Sequence, residues 1–463
     1  YESSYDDISY QSKIMMLKVD KHVKAKALDK LKEVNSGRES GTKAQQYLDG
    51  LLKIPFGVYY KESIFNHTTS DITKTEYIHN ARTTLDNCVH GHKEAKRHIE
   101  RLLGQWMSGK HTGTVFGFQG PPGTGKTTLA KYGFAKCLLN ENGQPRPIAF
   151  IPIGGTSSGS YLEGHGYTYM GSTWGKIVDV LIETQCMNPI IYIDELDKIS
   201  QSERGQELIG ILTHLTDSTQ NNEFNDKYFS GVKFDLSKAI FIFSYNDSNK
   251  LDRILRDRIT EIQTSGLFKN DKIIITNKYL LKEILSNVGI NKSDIIINDS
   301  SIQFIIDNFT YEAGVRKLKE KLYDVIREIN LLHIDKKISY PFTLTEDFIG
   351  NVFEDKPKMI LPKISLEPSI GLVNGLYATT SGLGGITMIQ VHKTYGEHLD
   401  MTLTGSQGKV MKESMECAKT VALSKIPDID EKWKNYKLHI HCPEAATAKD
   451  GPSAGITITT CIY

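Results

Sequence analysis

Two kinds of hydrophobic period alternate along the chain. Between residues 12 and 34 apolar positions are sparse, with Ile14, Leu17, Leu28 and Leu31 set among lysines and no proline or glycine before Gly37. The pattern predicts one long, partly exposed helix. A denser amphipathic run carries Tyr47, Leu48, Leu51 and Leu52, and Pro55 stops it after Ile54, because the residue before a proline avoids the helical region. A polar loop from His67 to Ser70 then leads into further helices up to Gly113. From there short β-rich runs alternate with helical stretches, at Val115 to Phe118, Ile148 to Ile153, Ile190 to Ile193 and Ile240 to Phe243. Such alternation predicts parallel strands joined by crossover helices. Beyond Phe268 the helical period returns, and Val315, Leu318, Leu322, Val325, Ile326 and Ile329 line one stripe of a small helical subdomain. Pro357, Pro362 and Pro368 punctuate a linker, after which glycine-rich turns and alternating strands open a further domain.

Chemistry enters at Gly120-Pro121-Pro122-Gly123-Thr124-Gly125-Lys126-Thr127, which fits GxxxxGK[ST] between an apolar strand and a helical run. Glycines let backbone N–H groups wrap phosphates at a helix N-terminus, Lys126 offers a cation to the β and γ groups, and Thr127 a hydroxyl to magnesium. The strand Ile190-Ile191-Tyr192-Ile193 ends in Asp194-Glu195, an arrangement that puts one carboxylate beside the metal and a second beside attacking water. Asp194 is accordingly the metal-side acid and Glu195 the water-activating base, while Asp197 is expected to pair with a nearby cation. The strand from Ile240 leads to Asn246, placed like the polar sensor residue of AAA+ motors, and Leu255-Arg256-Asp257-Arg258 resembles the AAA+ segment whose arginine reaches a neighbour's γ-phosphate. That role for Arg258 requires an oligomer.

Nucleotide motifs alone do not separate one motor from another. Ile153-Gly154-Gly155 followed by Glu163-Gly164-His165-Gly166-Tyr167-Thr168-Tyr169-Met170-Gly171 resembles the Lon segment between the second strand and the next helix. Thr310-Tyr311-Glu312-Ala313-Gly314-Val315-Arg316 resembles the Lon second sensor, with Arg316 at the nucleotide-contacting position. Pro443-Glu444 and Lys449-Asp450-Gly451-Pro452-Ser453-Ala454-Gly455 resemble the Lon catalytic-serine signature, and the run from Thr404 to Ser414 resembles another block of that protease domain. On these segments, in register from about Lys24 onwards, the chain is identified as a divergent member of the Lon protease family; Ser381-Gly382-Leu383 and Gly166-Tyr167 depart from its pattern.

The resemblance implies a multidomain α/β plus α chain. Its parts are an N-terminal helical segment over 1–84, an AAA+ P-loop subdomain with a parallel sheet over 85–265, a small helical subdomain over 266–355, and the start of an α+β protease domain over 356–463. It implies a homo-oligomer, a hexamer, that hydrolyses ATP with Mg²⁺ and acts on unfolded or damaged protein. Tyr169 and Met170 would face the ring axis and grip extended polypeptide of almost any sequence, with a second axial loop inside Gln220 to Gly231. Ser453, on the turn made by Gly451 and Pro452, would be the nucleophile, with backbone N–H groups nearby to receive an oxyanion. Its base in the family is a lysine, neutral only if burial lowers its pKa. That lysine is expected downstream of Tyr463, so the chain reads as truncated at both ends, and Lys449 is given no catalytic role.

Composition narrows the alternatives. Lysine and arginine number 56 against 55 acids, a net charge of +1, which provides no global field for nucleic acid or an anionic surface. The lysines from Lys18 to Lys32 favour a nucleic-acid-remodelling motor only weakly, since charge runs are usually solvated helix faces. A second rival is an ATP-driven unfoldase with an inactive protease half. Six cysteines lie scattered without a CxxC pair, fitting reduced thiols of the cytosol or an organelle matrix. His439, His441 and Cys442 alternate along an expected strand, so the two histidines share a face that Cys442 does not, which argues against a metal site. No window approaches the roughly 18 apolar residues of a membrane-spanning helix.

Overall fold

The computed structural model describes residues 8–36, 40–63, 71–109, 113–155, 158–169, 171–358, 364–365, 367–378, 384–397, 399–427, 433–443 and 450–463. The His67–Ser70 loop, Met170, Ser381–Leu383, Glu444 and Lys449 lie outside these residues. The chain forms two compact units, 1–289 with 313–319, and 290–312 with 320–463.

The single helix expected over 12–34 is two, α1 (Tyr10–Met16) and α2 (Lys21–Asn35). Ser9 caps the first through the Ser12 N–H, and Asp20 opens the second with extended backbone. The break lets Ile14 and Val23 both reach one apolar core, and burial of this kind overrides local helix propensity. Helix α3 (Ser40–Lys53) ends ahead of Pro55 as expected, with Tyr47, Leu48 and Leu51 buried. Helices α4 (Asp71–Cys88) and α5 (Lys93–Ser108) follow.

The central sheet is parallel, built from β1 (Thr114–Gln119), β2 (Ile148–Pro152), β3 (Ile190–Asp194), β4 (Ile240–Tyr245) and β5 (Thr260–Gln263), in the order β2-β3-β4-β1-β5. Four of these were legible as apolar runs. The fifth was not, because an edge strand reading Thr-Glu-Ile-Gln buries only Ile262. Both faces of the sheet are covered, so alternate residues enter different cores. Ile191, Ile193, Phe241 and Phe243 pack with Tyr47, Leu51 and the other apolar residues of α1 to α3. Ile190, Tyr192, Ile240 and Ile242 pack with Leu85, Ile99, Leu103 and Trp106 of α4 and α5. Arg146 is fully buried beside the sheet; it pairs with Glu62 at 2.8 Å and donates to the Asn188 and Lys238 carbonyls, each at 2.7 Å.

In the second unit a short parallel ladder, Ile295–Ile296 with Phe342–Thr343, accompanies the helices Asp299–Phe309 and Glu346–Val352. A mixed four-stranded sheet follows, with β6 (Leu372–Ala378), β7 (Gly384–Tyr395), β8 (Met401–Thr404) and β9 (Tyr436–His441) in the order β6-β7-β9-β8. Ile389 and Ile440 of this sheet, with Cys442 just past β9, pack with Met411, Met415 and Ala418 of the helix Lys409–Leu423 and Ile458 of the helix Gly455–Ile462. His439 and His441 do share a face, where Nε2 of one and Nδ1 of the other bond the same Thr404 hydroxyl at 2.9 and 2.8 Å. None of the six cysteines forms a disulfide among the described residues. No described helix is long and apolar enough to cross a membrane.

Candidate functional site

The ends of β1, β3 and β4 open on a cavity of about 470 Å³. Gly120, Gly123 and Gly125 of the turn after β1 hold φ of 151°, 74° and 96°, backbone that side chains rarely adopt. A Cβ on Gly120 would lie 2.0 Å from the Thr264 carbonyl oxygen, so the loop reaches its course only as glycine. Lys126 starts the following helix and bends back over the loop, donating to the Gly120 carbonyl, to the Pro121 carbonyl at 3.0 Å and to Asn246 Oδ1 at 3.0 Å. Burial pushes its ammonium down to about 8, against the fields of Asp194 and Asp197.

Thr124 donates to Pro121 and is buried, and Thr127 shares a 3.2 Å hydrogen bond with the Tyr192 hydroxyl. Asp194 Oδ1 accepts from the Ser244 hydroxyl and, at 3.0 Å, from the Glu195 N–H. Glu195 has φ 59°, and its Oε2 lies where a Cβ on Gly154 would be only 2.0 Å away. Pro122 through Thr127, Asp194, Glu195, Asn246 and Arg316 all line the cavity. Arg316 packs on Gly123, and the Val315 N–H donates to the Gly123 carbonyl at 3.1 Å. The other end is apolar, with Val89, Ile275, Tyr279 and Leu280. One side of this cleft thus offers N–H groups and a cation, the other a surface for a flat ring.

Asp197, expected in an ion pair, instead accepts from the Asp247 N–H at 3.4 Å and acts on Lys126 through its field. Arg258 does not line the cavity of its own chain. Its guanidinium donates to Asp217 Oδ2 at 2.6 Å and to the Thr213 carbonyl at 3.0 Å, and the Thr219 hydroxyl and N–H, together with Arg258, hold the Asp217 carboxyl at about 2. Tyr169 is 71% exposed on a turn between Gly166 and Gly171. Within 220–231, Asp226 is buried, accepting from the N–H groups of Gly175, Tyr228 and Phe229 at 2.7, 2.8 and 3.2 Å.

In the second unit Ser453 is exposed just ahead of the helix Gly455–Ile462. Asp450 shapes its turn, accepting from Met411 N–H at 2.9 Å and Gly451 N–H at 3.1 Å, and Gly451 holds φ 142°. Ser414 donates to the Pro452 carbonyl at 3.3 Å.

Three family descriptions match the chain in the order of these parts. Residues 116–267 match the ATPase family associated with various cellular activities (AAA), 286–341 the Lon protease AAA+ ATPase lid domain, and 346–463 the Lon protease (S16) C-terminal proteolytic domain. A Lon protease homolog of Acanthamoeba polyphaga mimivirus is 32% identical over 98% of this chain and 50% of its own length. The Lon protease of Campylobacter concisus is 34% identical over 94% of the chain and 55% of its own length, and that of Clostridioides difficile 32% over 98% and 55%. The chain belongs to the Lon protease family. It spans about half the length of these curated relatives.

Three groups that the motifs do not name line or brace this cleft: Ser244 lines it, and Tyr192 and His92 bond Thr127 and the Thr124 carbonyl from behind. Ser244 and Tyr192 left a trace, each a hydroxyl in an otherwise apolar strand. His92 left none: it sits at φ 51°, its Nε2 bonds the Thr124 carbonyl at 2.7 Å, and burial pushes its imidazole below the usual range. Its place depends on α5 meeting the loop after β1.

Proposed function

We propose that the protein is an ATP-dependent endopeptidase of Lon type, a homo-oligomeric ring in which nucleotide hydrolysis unfolds protein substrates and threads them to Ser453. The observation that carries the reading is the convergence of Lys126, Thr127, Asp194, Glu195, Asn246 and Arg316 on one cleft, in a chain that also presents a serine on an Asp450-braced turn ahead of a helix.

The residues present fit Mg-ATP. Thr127 and Asp194 would hold the metal, whose positive charge would offset the charge on the phosphate oxygens. The loop N–H groups and Lys126 would bind the phosphates; today's partners of the ammonium are carbonyls and an amide oxygen, which a phosphate oxygen can replace. Glu195 would take a proton from the attacking water, Asn246 would orient that water, and Arg316 would contact the phosphates. Arg258 would serve a neighbouring subunit's site after leaving Asp217. At Ser453 the hydroxyl would attack the peptide carbonyl, its proton passing to the lysine base the family uses.

Two substitutions in the full-length protein separate the halves. Glu195→Gln is expected to keep ATP binding and stop turnover, and unchanged hydrolysis would remove Glu195 from its role. Ser453→Ala is expected to spare hydrolysis and end casein cleavage; surviving proteolysis would exclude Ser453. A wild-type protein that hydrolyses ATP and unfolds clients without cutting them would instead be an unfoldase.

A further inference from the structure

Helix α3 runs alongside the segment that carries Tyr169. Lys43, Tyr47 and Gly50 recur at i, i+4 and i+7 and so share one face, and each meets that segment at a different point. At its tip, the Lys43 ammonium donates to the Tyr169 carbonyl at 2.7 Å. Two residues earlier, the Tyr167 ring takes Lys43 and Lys30 at 4.9 and 4.4 Å from its centroid, and Tyr47 edge-on at 5.5 Å. At its far end Trp174 presses on Gly50, where a Cβ would lie 2.6 Å from the indole.

An exposed tyrosine on a glycine-flanked turn has little of its own to hold its height. Among the described residues the bonds within the turn are long or neutral: the Tyr169 N–H to the Gly166 carbonyl at 3.1 Å, the Ser172 N–H to the Tyr169 carbonyl at 3.4 Å and the Ser172 hydroxyl to the Tyr167 carbonyl at 3.3 Å. The Lys43 bond is shorter and charge-assisted, a class roughly twice as strong as neutral bonds, and it comes from a helix whose own residues are locked in the core.

We infer that α3 is the strut of the axial segment and that Lys43 is its positioning residue, setting where Tyr169 stands when polypeptide is gripped. The inference rests on the axial reading of Tyr169. It gives the N-terminal helices a mechanical part in translocation: a load on Tyr169 is passed through Lys43 and Tyr47 into α3.

The test compares Lys43→Met, Lys43→Arg and Tyr169→Ala in the full-length protein. Methionine keeps an unbranched stem and removes the donor. Lys43→Met is expected to leave basal hydrolysis, the KM for Mg-ATP and cleavage of a short fluorogenic peptide within about twofold. Casein degradation and its stimulation of hydrolysis are expected to fall about fivefold, the scale of one such hydrogen bond. Lys43→Arg, which keeps a donor of similar reach, is expected to recover most of the loss, which a merely structural defect would not. Wild-type casein degradation by Lys43→Met beside a failing Tyr169→Ala overturns the inference alone. Wild-type degradation by Tyr169→Ala overturns the axial reading, and the inference with it.

Discussion

Glu195 occupies left-handed backbone at φ 59°, a conformation that strains a non-glycine residue by about 1–3 kcal/mol. Its side chain fits only because Gly154 has none. Gly154→Ala is therefore expected to leave the KM for Mg-ATP within about twofold while kcat falls by about tenfold to a hundredfold, up to the cost of an ångström of misplacement; equal kcat would show that the carboxylate tolerates displacement. Lys126 gives a pH test. Its folded pKa of about 8 lies below the usual lysine value, so the unfolded chain binds more protons between the two, and stability of the nucleotide-free protein rises with pH across that window. Phosphates favour the charged ammonium, so ATP binding slightly above pH 8 is expected to take up a proton. Calorimetry in two buffers of different ionisation enthalpy would register unequal heats, and equal heats would contradict the assignment. The loop glycines and Lys126 were legible because a phosphate cradle is a local demand on consecutive residues. Gly154 facing Glu195, or His92 under Thr124, arises from loops far apart in sequence, and no spacing encodes it.

At the scale of elements, what the hydrophobic period fixes is type and face, and what it misses are breaks and edges. The α3 stop and four strands follow from pattern, whereas the division of α1 from α2 follows from where Ile14 and Val23 find a core. The Arg146–Glu62 pair joins the segment after α3 to carbonyls just ahead of the neighbouring strands β3 and β4. Burial draws the Arg146 pKa down and Glu62 opposes that. Removing one partner leaves the other buried and uncompensated, so Arg146→Ala is expected to cost about 3–5 kcal/mol. A urea titration followed by tryptophan fluorescence would place the first transition at lower denaturant; an unmoved midpoint would mean water replaces the arginine without loss.

For the molecule as a whole, the order of parts was legible because each has its own period, parallel strands with crossovers, a helical stripe, then alternating strands among glycines. The sequence context singles out Arg258 as the residue that would serve a neighbour, and within its own chain its guanidinium is bonded to Asp217. If that arginine acts across subunits, Arg258→Ala and Lys126→Ala proteins, each inactive in hydrolysis, should regain part of the activity when mixed and reassembled, and no recovery would exclude a shared site. The Asp226 carboxylate is buried between two loops. It bonds Gly175 after one proposed client-facing loop and Tyr228 and Phe229 in the other, so neither can shift far without the other. If both segments face a passing polypeptide, as proposed, each subunit would present one stiff paddle rather than two fingers that open and close by turns.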